Sequence, residues 1–228
     1  MLTKTGMFER HVICPVCSKG FDTMKMLVNA PKMIKREPDF YTTYVGENPI
    51  YYAIFVCPNC GYTAFEKDFK SISDASKAII QQSVSKQWTK RDYCGLRTTQ
   101  EALEIYKLAL LCYTLTKASS LTIGKITMRI AWIYRSLEDL KEKEFIQHTI
   151  NYFEKAYTSE NVFEDIDEEL TIMFVLGEFH RQLGNYRESV RWFTRALEIP
   201  EIKKKRHLEQ RVRNQWSLLA ESNRNNKE

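Results

Sequence analysis

A chain of 228 residues with 43% apolar and 28% charged side chains, 8 Gly and 6 Pro has ordinary globular usage, which argues against disorder or a fibrous repeat. Its net charge of +5 is mild and uneven: residues 158–200 are acidic and 201–228 basic, a pattern that points to charge pairing within or between molecules more than to a face dedicated to nucleic acid. No run of about 18 apolar residues occurs, and residues 1–12 lack the apolar centre of a secretory signal, so the expectation is a cytoplasmic protein without a membrane span.

That compartment keeps thiols reduced, and the 6 cysteines therefore favour metal binding over disulfides. The first chemical signal along the chain is Cys14-Pro15-Val16-Cys17, followed by Ser18-Lys19-Gly20, and the second is Cys57-Pro58-Asn59-Cys60, followed by Gly61. Each C-x-x-C turn aims two thiolates at one ion, and a small residue after the second cysteine permits the tight bend. Together Cys14, Cys17, Cys57 and Cys60 make a four-sulfur set for one structural Zn2+, because four thiolates leave no open position for water or substrate. Residues 18–56 separate the two turns, a longer excursion than the roughly 15–20 residues of compact four-cysteine sites. Within it, 24–33 and 51–56 have the apolar, β-favouring character of strands, and Gly46-Glu47-Asn48-Pro49 marks a turn. His11, just ahead of Cys14, reads as a surface histidine in the strand leading to the turn, while Cys94 and Cys112 read as small core residues.

Beyond Phe69 the apolar period changes from two to three or four. Helices are expected over 73–88, 99–116, 121–144, 145–158, 168–183, 186–199 and 203–222, with Gly184-Asn185 as the clearest stop between two of them. The stretch 170–203 resembles a tetratricopeptide repeat: Leu176, Gly177, Gly184, Tyr186, Phe193 and Ala196 stand at the large, small, turn, aromatic, aromatic and small positions of the roughly 34-residue pattern. An imperfect copy with an insertion around 138–144 uses Ala131, Tyr134, Phe153 and Ala156, and Ala102, Tyr106 and Ala109 look like the second helix of a third. The fold class expected is α+β: residues 1–68 a small β zinc ribbon, and 69–228 an all-α stack of tetratricopeptide-like helical hairpins.

In such a stack the first helices line a concave face. Lys125, Met128, Trp132 and Arg135 from one helix, with Phe174, Glu178 and Arg181 from another, fall off the packing stripe and are candidates for a partner-binding groove. His148, His180 and His207 make no ligand spacing, and there is no Gly-rich phosphate loop, no G-x-S-x-G and no histidine beside an evident nucleophile, so no enzyme is expected.

The two cysteine turns, Arg36-Glu37-Pro38-Asp39-Phe40, Asn48-Pro49-Ile50-Tyr51-Tyr52, Gly61-Tyr62-Thr63-Ala64-Phe65, Ala131-Trp132-Ile133-Tyr134-Arg135 and Leu176-Gly177-Glu178 together resemble the bacterial family catalogued as domain of unknown function 2225, over nearly the whole chain. The resemblance implies a bacterial cytoplasmic protein with a four-cysteine zinc ribbon fused to repeat-like helices, and it implies no particular activity. An ion pair between Arg36 and Asp39 would order the loop between the turns. The function expected is a non-enzymatic zinc-binding interaction or scaffold protein whose helical groove recognises another protein or peptide. The alternative is a nucleic-acid-binding ribbon protein using the basic run Lys203-Lys204-Lys205-Arg206-His207 with Arg211 and Arg213.

Overall fold

Three antiparallel hairpins precede seven helices in the computed structural model, which describes residues 6–160 and 163–225, with side chains to residue 219. The arrangement is α+β.

The first hairpin pairs β1 (Met7–Ile13) with β2 (Gly20–Met26), and the Cys14 turn is its connection. The last pairs β5 (Ile54–Val56) with β6 (Thr63–Phe65), and the Cys57 turn is its connection. Between them lies β3 (Lys32–Arg36) with β4 (Thr42–Val45), a two-stranded ribbon whose β3 residues are all exposed. Residues 24–33 are thus the end of one strand, a turn and the start of another. The expected strand 51–56 begins later than its composition indicates, because Asn48 accepts a hydrogen bond from the Ile50 N–H and Pro49 opens a 3-10 turn over Pro49–Tyr52. Tyr51 and Tyr52 are buried in that turn and aim their hydroxyls at Thr99 and Glu47.

The helices are α1 (Asp74–Ser83), α2 (Thr99–Leu115), α3 (Ser120–Ser136), α4 (Lys141–Lys155), α5 (Ile166–Gln182), α6 (Tyr186–Glu198) and α7 (Arg206–Asn225). Their starts follow local chemistry: Ser73, Thr98, Ser119 and Asp165 each accept a hydrogen bond from a backbone N–H in the first turn, and Thr98 with Glu101 completes a capping box. Two stops differ from expectation. The helix expected over 73–88 ends at Ser83 and passes through a 3-10 turn, Ser85–Gln87. The helix expected over 121–144 ends at Ser136, because Glu138 takes φ 54° and lets the Asp139 N–H reach back to the Tyr134 carbonyl. The same closure at Gly184, φ 80°, was legible because glycine carries no penalty there, whereas Glu138 gives no such sign.

Helix pairs α3–α4 and α5–α6 are antiparallel hairpins held by one device each. A Cβ added at Gly177 would overlap the ring of buried Phe193, and one added at Gly124 would overlap that of buried Phe153. The close approach in the first hairpin is therefore at Gly124, not at Ala131 as the repeat alignment had it. Gly177→Ala is expected to lower stability by about 1–2 kcal/mol despite alanine's better helix propensity, since overpacking a full core outweighs the propensity gain. Urea unfolding measures it, and a stabilised variant would contradict the packing argument.

Three cores run through the chain. One joins the cysteine turns to Phe55, Tyr62, Phe69, Ile80, Val84 and Cys112, and another packs Met7, Tyr51, Tyr52, Ile54 and Phe65 against Ala102, Tyr106, Ile126 and Ile130 of α2 and α3. The third fills the stack α3 to α7 and includes Tyr41 from the middle hairpin. Apolar packing thus crosses the expected 68/69 boundary. Arg97 locks that crossing: buried ahead of α2, it donates to the carbonyls of Tyr51 (2.6 Å), Ile54 (2.8 Å) and Tyr93 (2.9 Å) and lies over the Tyr52 ring.

Candidate functional site

The two cysteine turns are near copies. Ser18 and Gly61, each just after a second cysteine, take φ 60° and 74°, and their N–H groups return to the carbonyls of Cys14 and Cys57 at 2.9 Å. The Cys14 and Cys57 N–H groups bond the carbonyls of Lys19 (3.0 Å) and Tyr62 (2.9 Å), closing each hairpin. This turn points backbone N–H groups at sulfur: Val16 and Cys17 toward Cys14, Asn59 and Cys60 toward Cys57, and Tyr62 toward Cys60.

Facing one another, the turns bring the sulfurs of Cys14, Cys17, Cys57 and Cys60 within 4.8 Å of each other despite the excursion between them. Cys14 Sγ lies 3.6 Å from Cys60 Sγ, and Cys17 Sγ 3.6 Å from Cys57 Sγ. Those separations are far beyond a sulfur–sulfur bond of about 2 Å. They match the edge of a tetrahedron with metal–sulfur bonds of about 2.3 Å, which is roughly 3.8 Å. The donor set can hold a metal ion. Contact among the thiols drives their pKa values apart: Cys14 and then Cys60 hold the Cys57 thiol far below its ordinary range, while Cys57 raises Cys14, against a lowering by Cys60, and Cys14 with Cys57 raises Cys60. Sulfurs so close cannot all carry negative charge without a cation among them. His11 stands apart, its Nδ1 2.9 Å from Asp22 on the exposed face of the first hairpin. Cys94 is half-buried and Cys112 buried beside the cluster, and burial pushes them up to about 12 and about 11.

Two side chains hold the turns from outside, and sequence patterns gave no sign of either. Gln81 of α1 donates to the Val16 carbonyl at 2.9 Å, and the Trp88 indole N–H donates to the Pro58 carbonyl at 2.9 Å with its ring against Gly61. A Gly61→Ala chain would need both a left-handed alanine and a displaced Trp88. A loss of about 10-fold or more in metal affinity is expected, on the scale seen when supporting contacts around metal ligands are removed. Competition against a chromogenic chelator measures it, and unchanged retention would count against the role given to this contact.

The residues expected to line a groove are engaged within the chain. Lys125 pairs with Glu168, Trp132 is buried, and Glu178, fully buried, accepts from Arg181 at 3.0 Å. Burial pushes the Glu178 carboxyl above its ordinary range, with Arg181 working against the shift. Met128 and Phe174 are likewise buried.

Arg135 has a partner that local sequence does not announce. The tip of the β3–β4 hairpin enters the helical face, and Asp39, with no exposed surface, takes a bidentate bond from Arg135 (3.2 and 2.7 Å) and another from Gln182 (3.1 Å). Arg135 also donates to Glu142 at 2.6 Å and lies over the Tyr41 ring, whose hydroxyl meets Ser136 at 2.9 Å. Burial opposes its charge, yet the bonds to Asp39 and Glu142 outweigh that and leave its pKa above the usual arginine value. Phe40, at φ 68°, packs on Phe174 and under Arg211. The expected Arg36–Asp39 pair is therefore replaced: Arg36 donates to Thr42 at 3.3 Å, because the turn buries Asp39 against the helices while β3 leaves Arg36 exposed.

Fold and site define a class: an α+β chain in which two cysteine hairpins form a metal-competent cluster packed on stacked helices. Within it, the chain matches the family described as "uncharacterized protein conserved in bacteria (DUF2225)" over residues 7–219, and it belongs to that family. It is also similar to an uncharacterized protein of Borreliella burgdorferi, 29% identical over 178 residues, covering 68% of this chain and 61% of that relative. The chain thus spans less than two thirds of that relative's length. No solved structure matches it. Among the described residues no helix is long and apolar enough to cross a membrane.

Proposed function

We infer that the protein is a non-enzymatic, cytoplasmic interaction scaffold in which one structural zinc ion fixes the hairpins and the tetratricopeptide-like helical face recognises another polypeptide. The contact at Asp39, Phe40 and Tyr41 supports this by example: the chain's own hairpin tip fills the face between α3 and α5 as a peptide would, with a carboxylate on Arg135 and Gln182 and two aromatic rings beside it, and the half-exposed edge at Arg181 is left for a partner. Zinc suits four clustered sulfurs with no open coordination position, a structural and not a hydrolytic arrangement.

Two measurements test it. Elemental analysis of protein purified under reducing conditions is expected to give one zinc per chain; iron in its place, which four sulfurs also accommodate, would overturn the assignment. Crosslinking in cells is expected to recover a polypeptide in fixed stoichiometry, lost on Arg181→Glu at the half-exposed edge of the face. Recovery indifferent to that change, or no stoichiometric product, would remove the helical face as the recognition surface.

A further inference from the structure

The acidic stretch and the basic tail do not neutralise each other. Glu160 is spent on Ser120, Glu164 on Lys67, Asp165 on capping α5 and Glu168 on Lys125. Among the described residues one pair joins the two stretches, Lys205 with Asp167. The basic residues around it are left over, and they converge.

A groove of about 950 Å³ runs between the tip of the β3–β4 hairpin, α5 and the first turns of α7. It is lined by Arg36, Lys204, Arg206 and Arg211 besides the Lys205–Asp167 pair. Arg36 reaches only Thr42, Arg211 lies over Phe40, and Lys204 and Arg206 stand exposed; among the described residues none of the four has a carboxylate within 4.0 Å. Arg213, by contrast, is outside the groove and satisfied by Glu209 at 2.8 Å.

We propose that this groove binds phosphate groups presented in series on a polyanion. Four cations without a carboxylate partner, on β3, on the 3-10 turn Pro200–Lys204 and on α7, line one groove and favour the entry of closely spaced negative charge. Guanidinium groups suit phosphate oxygens in their fork geometry. Base recognition is not part of the proposal: Phe40 meets Phe174 and is covered by Arg211, which leaves the small His207 ring as the one exposed aromatic of the groove lining. Binding is therefore indifferent to sequence and carried by charge, and the phosphates can come from a nucleic-acid backbone or from a free polyphosphate. This surface adjoins the Asp39–Tyr41 contact through Phe40, but its charge is carried by other residues and does not depend on the scaffold reading above.

The test uses the full, metal-loaded chain and fluorescence anisotropy with a labelled single strand and a labelled duplex, competed by inorganic tripolyphosphate or by a hexaglutamate peptide. With about four phosphates neutralised, the logarithm of the affinity is expected to fall with the logarithm of salt at a slope of about −3 to −4, and Lys204→Glu with Arg206→Glu to weaken binding at least ~10-fold and flatten that slope by about 2. Both side chains are exposed, so circular dichroism should be unchanged. Lys141→Glu with Lys143→Glu, exposed on α4, makes the same change in net charge elsewhere and should alter affinity by no more than about twofold. Displacement of both probes by tripolyphosphate at low concentration assigns the site to a free polyphosphate; retention of the duplex against it assigns the nucleic-acid backbone. No saturable binding at about 50 mM salt, equal loss in both double variants, or displacement by hexaglutamate as readily as by tripolyphosphate would overturn the proposal.

Discussion

Replacing Cys57 and Cys60 together by serine is expected to abolish stoichiometric metal and to unfold the two cysteine hairpins, while α3 to α6 keep their packing. The four sulfurs are at the centre of a core with Phe21, Phe55, Tyr62 and Phe69, and the strands that carry them are short: β5 and β6 have 3 residues each. Isolated two-stranded hairpins are marginal in water. Metal binding supplies on the order of 10 kcal/mol to such small sites, and its loss exceeds what the remaining apolar contacts of the ribbon can offset. The stack α3 to α6 has its own core around Phe153, Phe174, Phe179 and Phe193 and does not share these ligands. Metal content and hydrogen exchange by segment check both halves of this expectation. Full protection of 7–26 and 54–65 in the metal-free variant would show that the ion is incidental to the fold.

Removing the carboxylate of Asp39 should be costly for a single change in a loop. Breaking one partner of a buried ion pair costs about 3–5 kcal/mol when the other charge is stranded; Arg135 is about one fifth exposed and retains Glu142, so Asp39→Ala is expected to cost about 2–3 kcal/mol. The carboxylate also accepts the Tyr41 N–H at 3.1 Å, so the turn that presents Phe40 and Tyr41 loosens with it. In an Arg135→Met background the same substitution should cost less, because no stranded guanidinium remains, and a cycle of the four proteins isolates a coupling of about 1–3 kcal/mol. Equal costs in the two backgrounds would mean that the loop is held by its aromatic rings alone.

How much of this was legible in the sequence depends on whether each feature is written locally. The convergence of the four cysteines was, because cysteine spacing and the residue after each turn are local constraints, and a long intervening segment does not change them. The helix start after Thr98 was equally local, whereas the helix expected from 168 begins at Ile166 behind its Asp165 cap. The stop at Glu138 was not, since a left-handed glutamate leaves no compositional mark. The seat of Asp39 was least legible. Its partners, Arg135 and Gln182, stand on α3 and α5, and local reasoning assigned the aspartate to the nearest arginine, Arg36. Gln81 and Trp88 escaped for a related reason, because support given to a backbone carbonyl can come from any residue with a donor and has no motif.

The order in which the parts emerge during synthesis follows from where the middle hairpin sits. A ribosome delivers both cysteine turns before α5 exists, so the ion can close its ring of sulfurs while residues 37–41 still project without the Gln182 and Phe174 that will receive them. Order of synthesis thus separates the hairpin tip from its seat: Asp39, Phe40 and Tyr41 leave the ribosome before the α3 and α5 side chains that bury them, so an aromatic, acidic loop is displayed until its own pocket has been made.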